Sequence, residues 1–164
     1  MISAKLIELI EIHASRLTRD VANDLATNER TKGFRAVPVP DLEERVFQIF
    51  HRLGDWIAEP KSETVEAEFS EWGGRRFGQG IPLSEIFYAV IILKRHLQRY
   101  IRDNGLIDAV FPSVEAEYIL PMHLHSLQDL NRQVATFFDE ALYSLTRGYE
   151  KRAASAAGTP SARA

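Results

Sequence analysis

The chain has 164 residues, no cysteine and a formal net charge of -3 at pH 7. That length allows one domain or two very small ones, and a single core of this size buries roughly 70% of the surface an unfolded chain exposes. The absence of cysteine removes disulfides, thiolate metal sites and a cysteine nucleophile and fits a reducing cytoplasm; the mildly acidic balance argues against nucleic-acid binding, and no apolar run approaches the roughly 20 residues of a membrane span.

From Ser3 to about Asn28, Leu6, Ile10, Ala14, Leu17, Val21 and Leu25 recur at steps of three and four, which predicts one amphipathic helix with Ser3 as N-cap. Asn28 to Pro40 has no period and contains Gly33, Pro38 and Pro40, so it reads as a connecting loop. A second helix is predicted from Asp41 to Pro60, with Glu44 three residues after its Asp head and a stripe of Val46, Phe50 or Ile49, Leu53, and Trp56 or Ile57. Ser62 opens a third, carrying Val65, Phe69 and Trp72. It meets four glycines between Gly73 and Gly80, so it continues to Arg76 or Phe77 only if Gly73 and Gly74 lie at a close helix crossing.

Pro82 suits the first turn of a fourth helix, whose stripe runs Leu83, Ile86, Val90, Leu93, Leu97 and Tyr100 before Asn104-Gly105 stops it. Residues Leu106 to Leu120 predict a short, imperfect helix ended by Pro121. The last helix, from about Met122 to Arg152, repeats Leu127, Leu130, Val134, Phe137, Ala141 and Leu145 at heptad-like spacing. No segment alternates like a strand. The expectation is an all-α domain over residues 1–152, a single bundle of five to six helices with a long C-terminal helix, followed by a disordered tail over 153–164.

Catalytic and cofactor signatures are missing. There is no phosphate-binding loop, and the glycine-rich stretch from Gly73 to Gly80 joins two helices instead of following a strand. His123 and His125 lie about 200° apart on a helix, so they cannot chelate one ion. His13, on the apolar side of the first helix, reads as a buried histidine paired with a carbonyl or carboxylate. His96 lies among Lys94, Arg95 and Arg99. His13, His96 and His123 are the positions from which a haem could be ligated, although no motif marks them. The nine carboxylates from Asp41 to Glu71 read as a solvated flank. Arg75-Arg76, together with Arg95, Arg99 and Arg102 at steps of four and three, read either as a flank paired with the acidic second and third helices or as a surface for an acidic partner or small anion.

The segment Arg76-Phe-Gly-Gln-Gly-Ile-Pro-Leu-Ser-Glu-Ile-Phe, through Leu93-Lys-Arg-His-Leu, and the ending Phe137-Phe-Asp with Arg147-Gly-Tyr-Glu resemble the RsbRD-type N-terminal domain. That domain is the sensory region of RsbT co-antagonist proteins and of some bacterial sensor histidine kinases, and the likeness extends loosely over residues 1–152. The resemblance implies a helical, non-enzymatic domain without a required cofactor, related to globins that lack haem, which senses or docks something in the cytoplasm and signals through its last helix to an output domain. It implies a protein partner in a stress-response or two-component pathway and an unknown small ligand. The heptad spacing of the last helix suits a homodimeric signalling coil or equally packing within its own bundle, and charge and apolar-run length point to no nucleic acid and no membrane. The charge pattern and the motifs together give Arg75, Arg76, Arg95, Arg99, Phe138, Asp139 and Tyr149 as the expected partner or ligand surface. The alternative expectation is a globin-like sensor that binds haem or a small ligand.

Overall fold

The computed structural model describes residues 2–105 and 116–158. They form seven α-helices and one 3-10 segment: α1 (Ile2–Ile12), α2 (Ala14–Thr27), η1 (Glu29–Ala36), α3 (Val39–His51), α4 (Leu53–Ala58), α5 (Glu63–Gly78), α6 (Leu83–Gly105) and α7 (Ala116–Ala157). No strand occurs among the described residues, so the all-α expectation holds, and the extra helices come from breaks inside two of the predicted ones.

The first break is at His13, whose φ of -93° and ψ of 12° leave the helical well. Periodicity survives it: Leu6, Ile10, Ala14, Leu17, Val21 and Leu25 are all buried. A second break at Arg52, with φ -118° and ψ 30°, divides the predicted second helix into α3 and α4. Here Glu11 reaches over from α1, and its Oε1 accepts from the Gly54 N–H at 3.0 Å. A carboxylate at the start of α4 satisfies one of the free N–H groups and the positive end of the helix dipole. On the inner side, the Trp56 indole N–H donates to the Gln48 carbonyl at 3.2 Å.

Asn28 to Pro40 is not an irregular loop. The Asn28 side chain accepts from the Arg30 N–H at 3.0 Å and caps η1, and the Thr31 hydroxyl donates to the Leu25 carbonyl at 2.8 Å. Phe34 is buried, while Glu85 of α6 accepts from the Gly33 N–H at 2.6 Å. Two 3-10 turns joined at Thr31 carry no helical period, which is why the spacing of residues did not reveal them. α3 starts at Val39, two residues before Asp41, with Pro40 in its first turn.

α5 opens at Ser62, whose Oγ accepts from the Val65 N–H at 3.3 Å, and stays helical through Gly73 and Gly74 to Gly78. The condition set by the sequence is met, because α5 and α7 cross backbone to backbone. A Cβ on Gly73 would stand 2.0 Å from the Leu145 carbonyl oxygen, and one on Gly148 would stand 1.9 Å from that of Ser70. Beside the crossing, the Ser70 hydroxyl donates to the Ser144 carbonyl at 3.2 Å. The left-handed φ of 71° at Gly80 then turns the chain into α6.

α7 differs from expectation at both ends. Pro121 lies inside it, because a proline near the start of a 42-residue helix removes one ladder bond without ending the run. The helix also continues past Arg152 to Ala157, so the part of the predicted tail up to that residue is helical. Most of the short helix predicted over 106–120, and the tail beyond 158, lie outside the described residues. The heptad-like stripe closes the chain's own core: Leu130, Val134, Phe137, Ala141 and Leu145 are all buried, with Leu127 packed beside them. Phe137 stacks on Trp56 with centroids 6.0 Å apart, and Phe69 meets both rings edge-on. The stripe is therefore not free to form a dimer seam.

Candidate functional site

A small cavity of about 70 Å³, partly open to solvent, lies where α3, α5, α6 and α7 converge, and it is walled mainly by apolar side chains. Val46 and Ile49 come from α3, Phe69 and Trp72 from α5, Ile86 and Ala89 from α6, and Phe138 and Ala141 from α7. Two arginines break the apolar wall. Arg45 lies over the Trp72 ring at 5.3 Å, and Arg76 over the Phe34 ring at 5.5 Å.

Arg76 is only 8% exposed. Its Nη1 donates to the Gln79 Oε1 at 2.7 Å, and no carboxylate of the described residues lies within ion-pair distance of it. Burial pushes the guanidinium below its ordinary pKa; Arg45 and Arg75 push the same way, and Asp41 opposes them. Arginine keeps its charge under such shifts, so this is a cation held against an apolar cavity with a neutral amide as its hydrogen-bond partner. No counter-charge among the described residues pairs with it, and the guanidinium nitrogens that do not meet Gln79 are not among the buried atoms left without a partner, so they reach solvent at the mouth of the cavity.

The second recess is a polar cleft of about 610 Å³ between α2 and α6, lined by His13, Arg16, Asp20, Asp24, His96, Arg99 and Tyr100 among others. His96 Nε2 stands 2.9 Å from a carboxylate oxygen of Asp24, and His13 Nδ1 stands 2.5 Å from the Tyr100 hydroxyl. Burial raises the Tyr100 phenol above its usual pKa, with Arg16 opposing. The cleft mixes both signs of charge, and among the described residues no group of three or more His, Cys, Asp or Glu could hold a metal ion.

The residues singled out in the sequence divide between these places. Arg76 and Phe138, expected on the surface, are both buried on the cavity wall. α7 packs against α5 and α6 at once, which puts the adjacent Phe137 and Phe138 both inside. Tyr149 packs edge-on against Phe77 at 5.1 Å and donates its hydroxyl to the Ile81 carbonyl at 3.1 Å, fixing the α5–α6 turn beside Arg76. Arg75 faces solvent and pairs with Glu71 at 2.7 Å. Arg95 reaches the Tyr88 hydroxyl at 3.4 Å, and Asp139 meets Lys94 at 3.5 Å. Arg99 lines the polar cleft. The arginines of α6 thus do not pair with the acidic second and third helices.

The three histidines do not converge. His13 is exposed instead of buried, because the break at that residue turns it off the apolar stripe, and its partner is a phenol, not a carbonyl or carboxylate. His96 has an acidic neighbour in place of the purely cationic surroundings its sequence context suggested. His123 lines neither recess, and its Nδ1 is buried with no hydrogen-bond partner among the described residues. Sequence reading missed Arg45 and Asp24. Arg45 lies one residue before the buried Val46, and Asp24 one residue before the buried Leu25, so adjacency to a stripe was the available signal.

A family model described as the RsbT co-antagonist protein rsbRD N-terminal domain matches residues 14–164. Neither curated proteins nor solved structures give a match.

Proposed function

Because the chain belongs to the family of RsbT co-antagonist protein RsbRD N-terminal domains, we propose that it is a non-enzymatic sensory and docking domain of a stress-response signalling protein, working in the cytoplasm and passing its state outward along α7. The observation that carries this reading is the course of α7. One helix of 42 residues, about 63 Å long, contributes Phe138 and Ala141 to the cavity wall, crosses α5 at Gly148 and runs on to Ala157. A change in the cavity acts directly on the helix that leaves it, and a packed core answers by shifting between discrete arrangements instead of deforming smoothly.

The same reading includes a homodimer. With the heptad stripe consumed by the core, Leu120 and Leu124, each 45% exposed and one turn apart near the start of α7, are the side chains that support a seam between two copies. Light scattering of the protein is expected to give twice the 18.6 kDa chain mass, reduced to one chain by Leu124→Glu. A single-chain mass at every concentration contradicts the dimer.

Transmission is tested by helix phase in the full-length chain, read with a stress-response reporter. Two alanines inserted after Arg152 rotate everything that follows by about 200°, whereas seven restore the phase to within about 20°. The expected result is a changed response with two and a retained response with seven. An identical response to both insertions contradicts transmission through α7.

A further inference from the structure

We infer that the cavity under Arg76 is a binding site for a small aliphatic monocarboxylate, with the carboxylate on the Arg76 guanidinium and a short chain among Trp72, Ile86, Ala89 and Phe138. This deepens the sensory reading above, and rests on it for its physiological meaning.

Size sets the first limit. A void of 70 Å³ exceeds the 10–15 Å³ that one water needs and falls below the roughly 150 Å³ of a cavity that takes benzene. On the benzene yardstick that is about three heavy atoms, the alkyl chain of butyrate, whose carboxylate then stands at the guanidinium on the wall.

Chemistry sets the second. The wall is apolar apart from Arg45 and Arg76, so a hydrated inorganic anion would lose its water shell without replacement, while an aliphatic chain gains from burial. The guanidinium lacks a carboxylate partner among the described residues and spends one donor on Gln79. A neutral ligand of the same shape would leave that charge without a counter-charge. A carboxylate meets it with the planar, two-bond geometry for which arginine is suited. Arg45, over Trp72 on the same wall, adds a second positive charge that favours an anion there.

The test uses sodium butyrate as the probe, followed by calorimetry and by the Trp72 indole and Arg76 Nε–H resonances of isotope-labelled protein. Butyramide and sodium chloride are the controls. The expected result is saturable one-to-one binding of butyrate that moves both resonances, with butyramide at least tenfold weaker and chloride without effect on Trp72. Arg76→Met is expected to weaken binding at least tenfold. So is Ala89→Leu, which fills the cavity and leaves Arg76 in place; it carries the test if Arg76→Met does not fold. Absence of saturation at tens of millimolar, butyramide binding as tightly as butyrate, chloride reproducing the shifts, or unchanged binding in folded Ala89→Leu would each overturn the inference. Failure here leaves the helix-phase test standing, and failure of the phase test leaves the binding isotherm intact, so the two readings fall separately.

Discussion

Two buried threonines make opposite contributions to the same core. Thr31 is fully buried, and its hydroxyl closes the turn between α2 and η1 on the Leu25 carbonyl at 2.8 Å. Thr18, 4% exposed, has no hydrogen-bond partner for its Oγ1 among the described residues. Valine has nearly the same shape as threonine, so replacing each isolates the hydroxyl. Thr31→Val leaves a buried carbonyl without its partner and should cost about 1–3 kcal/mol. Thr18→Val removes a buried polar atom that gains nothing and should stabilise by about 1 kcal/mol. Urea midpoints at constant slope measure both, and a shift of the same sign in the two variants contradicts this assignment. Residue roles of this kind were poorly legible in the sequence. Arg76 could be singled out as part of an unusual Arg-Arg pair, but its burial follows from the three-dimensional course of α5, which carries Phe69, Trp72 and Arg76 inward together. Phe138, too, could be named but not placed, since a helix packed on two sides buries more than one stripe.

At the scale of the elements, the α5–α7 crossing is the tightest feature of the fold. Gly73 and Gly148 each place a bare Cα against the opposing helix's carbonyl, and Gly78, at the end of α5, has nothing within 4 Å of where a Cβ would be. Gly73→Ala and Gly148→Ala must push two backbones apart and are expected to cost about 1–3 kcal/mol or more through overpacking. Gly78→Ala keeps the helical conformation and should stabilise by about 0.4–1 kcal/mol through the unfolded chain. Thermal or chemical denaturation of the three variants checks the contrast, and equal effects at all three would mean that the crossing is looser than the geometry indicates. Here the sequence was informative: the glycines left two possibilities, a close crossing or an early end to the helix, and the length of α5 decides for the first. The apolar stripes run through the breaks at His13 and Arg52, so spacing did not show either; His13 has no proline or glycine beside it, whereas Gly54, two residues past Arg52, was the one local mark. Pro121 misled in the other direction, since the rule that proline ends a helix weakens near the helix start.

For the whole molecule, helix class and the long final helix could be read from spacing alone, and the family from two motif stretches, one across the α5–α6 turn and one on α7. Both stretches proved to lie where the cavity, the crossing and the Tyr149 hydrogen bond to the α5–α6 turn come together. The candidate site itself was only half legible: motifs pointed to Arg76 and Phe138, but a cavity is a property of packing and leaves no mark in linear spacing. What links that cavity to signalling is the claim that α5 and α7 behave as one body. Native-state hydrogen exchange tests it most directly, since locally cooperative units open with a common free energy. Amides of residues 69–77 on α5 and 141–149 on α7 are predicted to exchange with one shared opening free energy, and Gly73→Ala is predicted to lower both together while α2 is unaffected. Independent opening of α7, with its protection unchanged when α5 is destabilised, would contradict the account.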